Sequence, residues 1–112
     1  MADILNNMIP VKRAGRQTVL FSNPPAIISS ATVVGPMEGK GPLGPYFDMV
    51  LKDDTWGEDS WEKAERKMFE HTVREAMDKV NLQSGGVDCL LGGDLLNQII
   101  SANFAARELK LP

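Results

Sequence analysis

The sequence predicts an α/β domain in which strands and helices alternate around a parallel or mixed sheet. Three observations carry that expectation. Ala26-Ile-Ile-Ser-Ser-Ala-Thr-Val-Val34 is apolar, β-branched at Ile27, Ile28, Thr32, Val33 and Val34, and small in its middle, as a buried strand requires. A long amphipathic stretch follows, with Trp61, Ala64, Met68, Val73, Ala76, Met77 and Val80 recurring at helical spacing. After it, Val87-Asp-Cys-Leu-Leu91 is a second apolar run, ended by Gly92-Gly93 and followed by a small-residue helix from about Ser101 to Leu109. A helix between two strands argues for a right-handed crossover and a parallel pair.

The elements follow in order. Residues 1–16 read as a flexible N-terminal arm: Ile4, Leu5, Met8 and Ile9 line one helical turn, and Pro10 ends it. The domain is expected over residues 17–112. Thr18-Val-Leu-Phe21 is a short β-type run that Asn23-Pro-Pro25 breaks. Gly35 to Pro45 is a loop, with four glycines and three prolines in eleven residues. Pro45 to Leu51 suits a short helical turn with proline at its first position. The long helix is expected from Ser60 to about Asn81. Asp59 or Ser60 caps it, and Glu62 lies three residues after Asp59 as in a capping box. Glu62/Arg66, Glu70/Arg74 and Glu75/Lys79 are acid-before-base pairs one turn apart. Ser84-Gly-Gly86 resets the chain for the second strand, and the last helix is expected to turn Phe104, Ala105 and Leu109 inward.

Composition removes several classes of function. At 112 residues the chain is one domain or part of one, long enough for a real core. Twelve basic and fifteen acidic residues are mixed along it, for a net charge of -3, which is no footprint for nucleic acid. One cysteine, Cys89, excludes an internal disulfide and a cysteine-rich zinc site, and one histidine, His71, excludes a histidine-pair metal site. A lone thiol fits a reducing compartment. No segment has the eighteen or so apolar residues that span a bilayer, and Lys12, Arg13 and Arg16 come too late for a signal peptide. The expectation is a cytosol-facing protein whose membrane contact is at most peripheral.

Gly39-Lys-Gly-Pro-Leu-Gly44 spells G-x-G-x-x-G after an apparent strand. A dinucleotide fingerprint also needs a helix there, a second strand, and an acid about 20 residues on. Pro42 and Pro45 interrupt the motif, and an amphipathic helix carrying Glu62 and Glu65 occupies the later position. A phosphate-binding P-loop fails too, since Gly41 follows Lys40. Two readings stay open: a compact surface loop, or a cradle in which the N–H groups of Gly41 and Gly44, with Lys40 nearby, hold a carboxylate. Asp94 and Asn97 follow Gly92-Gly93 at a strand's carboxyl end, where open α/β sheets place ligands. They serve a ligand or tie down backbone. His71 reads as a structural histidine, Cys89 as a buried inert thiol, and Trp56 and Trp61 as staples of the helix start.

Three segments together resemble a known group. They are Gly35-Pro36 with Gly41-Pro-Leu-Gly44 and Phe47-Asp48; Trp61-Glu-Lys-Ala-Glu-Arg66; and Gly93-Asp-Leu-Leu-Asn-Gln98 with Ala102-Asn103 and Ala105-Ala-Arg107. Over residues 16–112 the chain resembles the thiolase-like superfamily, and within it the stage V sporulation protein AD family of endospore-forming bacteria. The resemblance implies the N-terminal part of a thiolase-like first half. It implies a protein that binds dipicolinic acid, as the free acid or its calcium chelate, and supports its uptake into the developing spore. The implied partners are other stage V A sporulation proteins and, in the full-length protein, a second copy; the implied place is the spore inner membrane, bound peripherally. Neither cofactor nor metal site is implied.

Dipicolinate is a planar aromatic dianion. Lys40, Gly41, Gly44, Asp94 and Asn97 are expected to form one wall of its pocket, with Asp48 joining if it binds calcium or orients a base. Family members are about three times as long, with two thiolase halves. Their Gly-Ala-Cys segment, aligned with the thiolase nucleophile, is expected soon after Pro112, and Cys89 falls one strand too early to replace it. No catalytic residue carries over, so the expected protein is a binder. The alternative is a piece of a thiolase- or ketosynthase-type acyltransferase, inactive as it stands.

Overall fold

The computed structural model describes residues 12–93, 96 and 99–112. Its elements are of mixed α/β type, as expected, but the sheets are small. Strand β1 (Lys12–Ala14) and strand β2 (Thr18–Leu20) form an antiparallel hairpin, with Lys12 opposite Leu20, Arg13 opposite Val19 and Ala14 opposite Thr18. Gly15 enters the turn at φ 72, a backbone state that costs glycine little. The hairpin crosses the boundary expected at residue 16, because the end of the expected arm is paired strand. Residues 1–11 lie outside the described residues.

Strand β3 (Val33–Val34) pairs in parallel with strand β4 (Met49–Val50), Val33 opposite Met49 and Val34 opposite Val50. Helix α1 (Pro36–Gly39) and a single 3-10 turn (Gly44–Tyr46) connect them. The Met49 N–H donates to Thr32 O at 3.1 Å and the Leu51 N–H to Val34 O at 2.9 Å. The parallel pair is therefore closed by the glycine-proline segment, and the long helix is not its crossover. Of the strand expected over 26–34, only the last two residues pair. Val87–Leu91 forms no strand either. A β-type sequence becomes ladder only where a second backbone lies alongside it; here the Leu90 N–H donates to Pro112 O at 2.9 Å.

Helix α2 (Trp61–Asp78) starts at Ser60, whose extended backbone and side-chain oxygen cap it by accepting the Lys63 N–H at 3.2 Å. The Asp59/Glu62 capping box does not form; Asp59 instead pairs with the Lys63 ammonium at 2.8 Å. The helix stops three residues before the expected Asn81. Asn81 takes a left-handed φ of 54, and the Leu82 N–H turns back to Met77 O at 2.9 Å. Within the helix, the Thr72 hydroxyl donates to Met68 O at 2.7 Å, so this β-branched residue is satisfied locally.

Helix α3 (Ile100–Leu109) packs on α2. Ser101, Ala102, Ala105 and Leu109 are its buried face. Phe104, expected inward, is 50% exposed and lies under the Arg66 guanidinium at 5.7 Å. The reason is angular: Ala105 and Leu109 centre the stripe, and residue 104 sits about 100° away from it. Past the helix, Lys110 is left-handed at φ 55, and the Leu111 N–H closes on Ala106 O at 3.0 Å, which buries Leu111.

The core is thin. Its buried apolar residues are Leu51, Ala64, Ala102, Ala105, Leu109 and Leu111, and among the described residues no large side chain is fully buried. Each buried leucine contributes roughly 1.5–3 kcal/mol; the alanines mainly let backbones approach. Conversely, Ile27 is 92%, Ile28 70% and Leu91 91% exposed. Contiguous apolar surface of this kind marks faces that meet something else.

The close α2–α3 approach has a direct test. Ala105 is 0% exposed, so Ala105→Leu overpacks the contact and should lower unfolding free energy by about 1–3 kcal/mol. Glu108→Ala, on the exposed side of α3, should stay within about 0.5 kcal/mol. Denaturant titration followed by circular dichroism reads both.

Candidate functional site

The glycine loop is a chain of local hydrogen bonds. Pro36 opens α1 after Gly35, where its missing N–H costs nothing. The Lys40 N–H donates to Met37 O at 3.1 Å, the Gly41 N–H to Glu38 O at 3.1 Å and the Gly44 N–H to Gly41 O at 3.0 Å. The donors expected to cradle a carboxylate at Gly41 and Gly44 are thus spent on the loop's own carbonyls. The cradle reading is corrected accordingly: these two amides hold the loop's shape. Its glycines serve packing. A Cβ on Gly39 would collide with the Val50 side chain, and one on Gly44 with Gly39 O. Only glycine lets the loop fold over β4 and onto itself. Lys40 stands exposed at the end of α1.

Asp48 precedes β4 and is fully engaged. Its Oδ2 accepts the Thr32 N–H at 2.8 Å and the Thr32 hydroxyl at 2.9 Å, while the Asp48 N–H donates back to Thr32 Oγ1 at 3.0 Å. Its Oδ1 accepts from the Lys79 ammonium. Lys79 also donates to Ser30 O at 2.9 Å, and the Ser29 hydroxyl donates to Ala76 O at 2.6 Å. The Lys79 ammonium first, and the Thr32 hydroxyl and amide next, hold the Asp48 carboxyl below its ordinary value. This carboxylate fastens the strand region to the end of α2. Both oxygens already hold partners within the fold, and among the described residues no group of three His, Cys, Asp or Glu is placed to hold a metal.

Ion pairs along α2 follow tertiary reach. Lys79 takes Asp48 in preference to Glu75, Arg66 pairs with Glu70 at 2.9 Å, and Lys67 pairs with Glu58 at 3.1 Å and donates to Trp56 O at 2.9 Å. Trp56 receives Lys67 over its ring at 5.1 Å and His71 edge-on at 5.2 Å. His71 and Trp56 are half-buried, so Trp56 staples the segment before α2, whereas Trp61, expected to do the same, is exposed.

A groove of about 560 Å³ runs along the other side of α2. Trp61, Met68, Phe69, Val73, Leu90 and Leu91 form its apolar walls, and Asp54 and Glu65 bring carboxylates to it. Gly92 makes this approach possible, since a Cβ there would sit 2.7 Å from Phe69 Cζ. The stretch expected to lead to a ligand therefore does border a concavity. Gly35 lies beside it, its virtual Cβ 3.5 Å from Asp54 Oδ1. Lys40, Gly41, Gly44 and Asp48 do not line it. Asp94 and Asn97 lie outside the described residues. Cys89, expected buried, is exposed, because the run that carries it is not enclosed in a sheet.

Sequence reading missed Lys79, Ser29 and the pairing role of Thr32. Their partners are 31, 47 and 16 residues away, beyond any local pattern.

The clamp generates a pH prediction. A carboxyl held below its ordinary value of 3.8 stabilises the fold above that value, and the contribution disappears as pH falls through the lower, folded-state value. Asp48→Asn should lower the melting temperature at pH 7 and flatten the acid limb of the stability curve below about pH 4. Thermal melts between pH 2 and 7, with Asp78→Asn as an exposed control, check this; an unchanged acid limb would contradict the role given to Asp48.

Comparison with known proteins adds what the geometry leaves open. The chain is 44% identical, over 102 residues, to stage V sporulation protein AD of Bacillus subtilis strain 168; the match covers 91% of this chain and 30% of that protein. The chain thus spans about a third of the length of the curated relative it matches. The model of the family described as stage V sporulation protein AD (SpoVAD) matches residues 15–112. The glycine loop, the long helix, the Gly92-Gly93 stretch and α3 all fall within that match, and the chain belongs to the stage V sporulation protein AD family.

Proposed function

We propose that this sporulation-family chain belongs to a protein that binds dipicolinic acid and supports its uptake into the developing spore, as a binder and not as an acyltransferase. Family membership over residues 15–112 is the observation that carries the reading. The thiolase-like fold, action alongside other stage V A sporulation proteins, a homodimer of the full-length protein and a cytosol-facing, peripheral place at the spore inner membrane belong to the same proposal.

The groove on α2 supports it chemically. Trp61 and Phe69 offer aromatic faces to a planar ring, and the leucines exclude water. Asp54 and Glu65 would repel a free dianion, so the neutral calcium chelate suits this groove better.

Titration calorimetry with the full-length protein that carries this chain tests the reading. Calcium dipicolinate should bind saturably, and benzene-1,3-dicarboxylate, which has the shape but lacks the chelating nitrogen, should bind at least tenfold more weakly. Trp61→Ala should weaken calcium dipicolinate by about tenfold, the equivalent of about 1.4 kcal/mol. Equal binding of the two dicarboxylates, or an unaffected Trp61→Ala variant, would count against the groove.

A further inference from the structure

The mixing of charge breaks down toward the N-terminus. Between Asp3 and Glu38 there is no acidic residue, and the only charged side chains are Lys12, Arg13 and Arg16, in a chain whose net charge is -3. All three fall in or beside the β1–β2 hairpin: two in β1 and Arg16 in the turn. The register puts Arg13 across from Val19 and Lys12 across from Leu20, so Arg13 shares its face with an apolar residue. Every residue from Arg13 to Ile28 is exposed, with Leu20 at 52% and Phe21 at 60%. The main packing of the hairpin is within itself. A lone two-stranded ribbon is marginal in water, and this one spends apolar residues on solvent.

We propose that the β1–β2 hairpin, with Phe21, docks the chain on an anionic lipid surface. The arginines meet headgroup phosphates, and Val19, Leu20 and Phe21 enter the interfacial region. A bilayer is favoured over a folded partner by the shape of the element. A thin ribbon with exposed Arg13 and Arg16 beside exposed Val19, Leu20 and Phe21 fits a medium that can surround it, and an acid-free stretch adds no repulsion from anionic headgroups. The inference rests on the proposed peripheral membrane location and names the element responsible.

Flotation of the whole chain with vesicles tests it, using phosphatidylcholine alone or with phosphatidylglycerol. Binding should require the anionic lipid and weaken with salt. Each arginine changed to glutamine should cost about fivefold in affinity, at about 1 kcal/mol per surface cation. Phe21→Ser should also weaken binding, while Lys63→Gln and Lys110→Gln, which remove the same charge elsewhere, should not. Circular dichroism confirms that each variant folds. Three results would each overturn the proposal: equal binding to neutral vesicles, no binding to anionic ones, or indifference to Arg13→Gln and Arg16→Gln in a folded chain. Self-association by light scattering that those two changes abolish, without vesicle binding, would assign the hairpin to a second copy instead. The vesicles contain no dipicolinate, so this outcome and that of the ligand titration are independent.

Discussion

Asp48 accepts the amide and hydroxyl of Thr32 and the ammonium of Lys79, while Lys79 reaches Ser30 O and Ser29 reaches Ala76 O. One carboxylate therefore joins three segments: the end of the 26–32 run, the entry to β4 and the last turn of α2. The arrangement matters because the apolar core is small. Alanines and a few leucines hold α2 and α3 together, but the buried leucines lie at residue 51 and near the C-terminus, leaving residues 29–32 with little hydrophobic attachment. Polar bonds replace it. Most are exposed and weak singly, yet they converge on one place and restrain the same displacement.

The glycine loop depends on that fastening. Once Thr32 and Asp48 are held, β3 and β4 lie side by side, and the fourteen residues between them must return in a short path. Four glycines and three prolines make that possible. Gly39 and Gly44 permit contacts that any side chain would prevent, and the loop's amides satisfy its own carbonyls. A motif with the letters of a phosphate cradle is thus a closed structural turn. The groove lined by Trp61, Phe69 and Leu91 lies along α2, and the loop residues Gly41 and Gly44 do not line it.

Much of the local structure was legible in the sequence. The positions of α2 and α3 follow from the 3.6-residue periodicity, and the start of α2 from the serine at its N-cap. The β-type run at Thr18 was legible for its composition, whereas of the helical turn expected over Pro45 to Leu51 only the start turns, in Gly44–Tyr46, and Met49–Val50 is strand. The sheet was not. Val33–Val34 pairs with a segment 16 residues on, and Val87–Leu91, with equally β-prone residues, pairs with no strand. Strand sequence states a preference, whereas a ladder needs a neighbour at 4.8 Å or so. The exposure of Phe104 and Cys89 has the same origin: burial depends on what lies opposite.

The family was legible too, since the loop, helix and Gly93–Gln98 residues that suggested it lie within the region matched to stage V sporulation protein AD. By itself, then, the sequence determined helix positions, turn chemistry, the acid-free basic stretch and family membership, because each is written in short-range spacing or composition. Which carboxylate meets Lys79 and which apolar run becomes strand were settled only by folding. Those outcomes depend on groups brought together from 16 to 49 residues apart, and no local pattern encodes the distance between them.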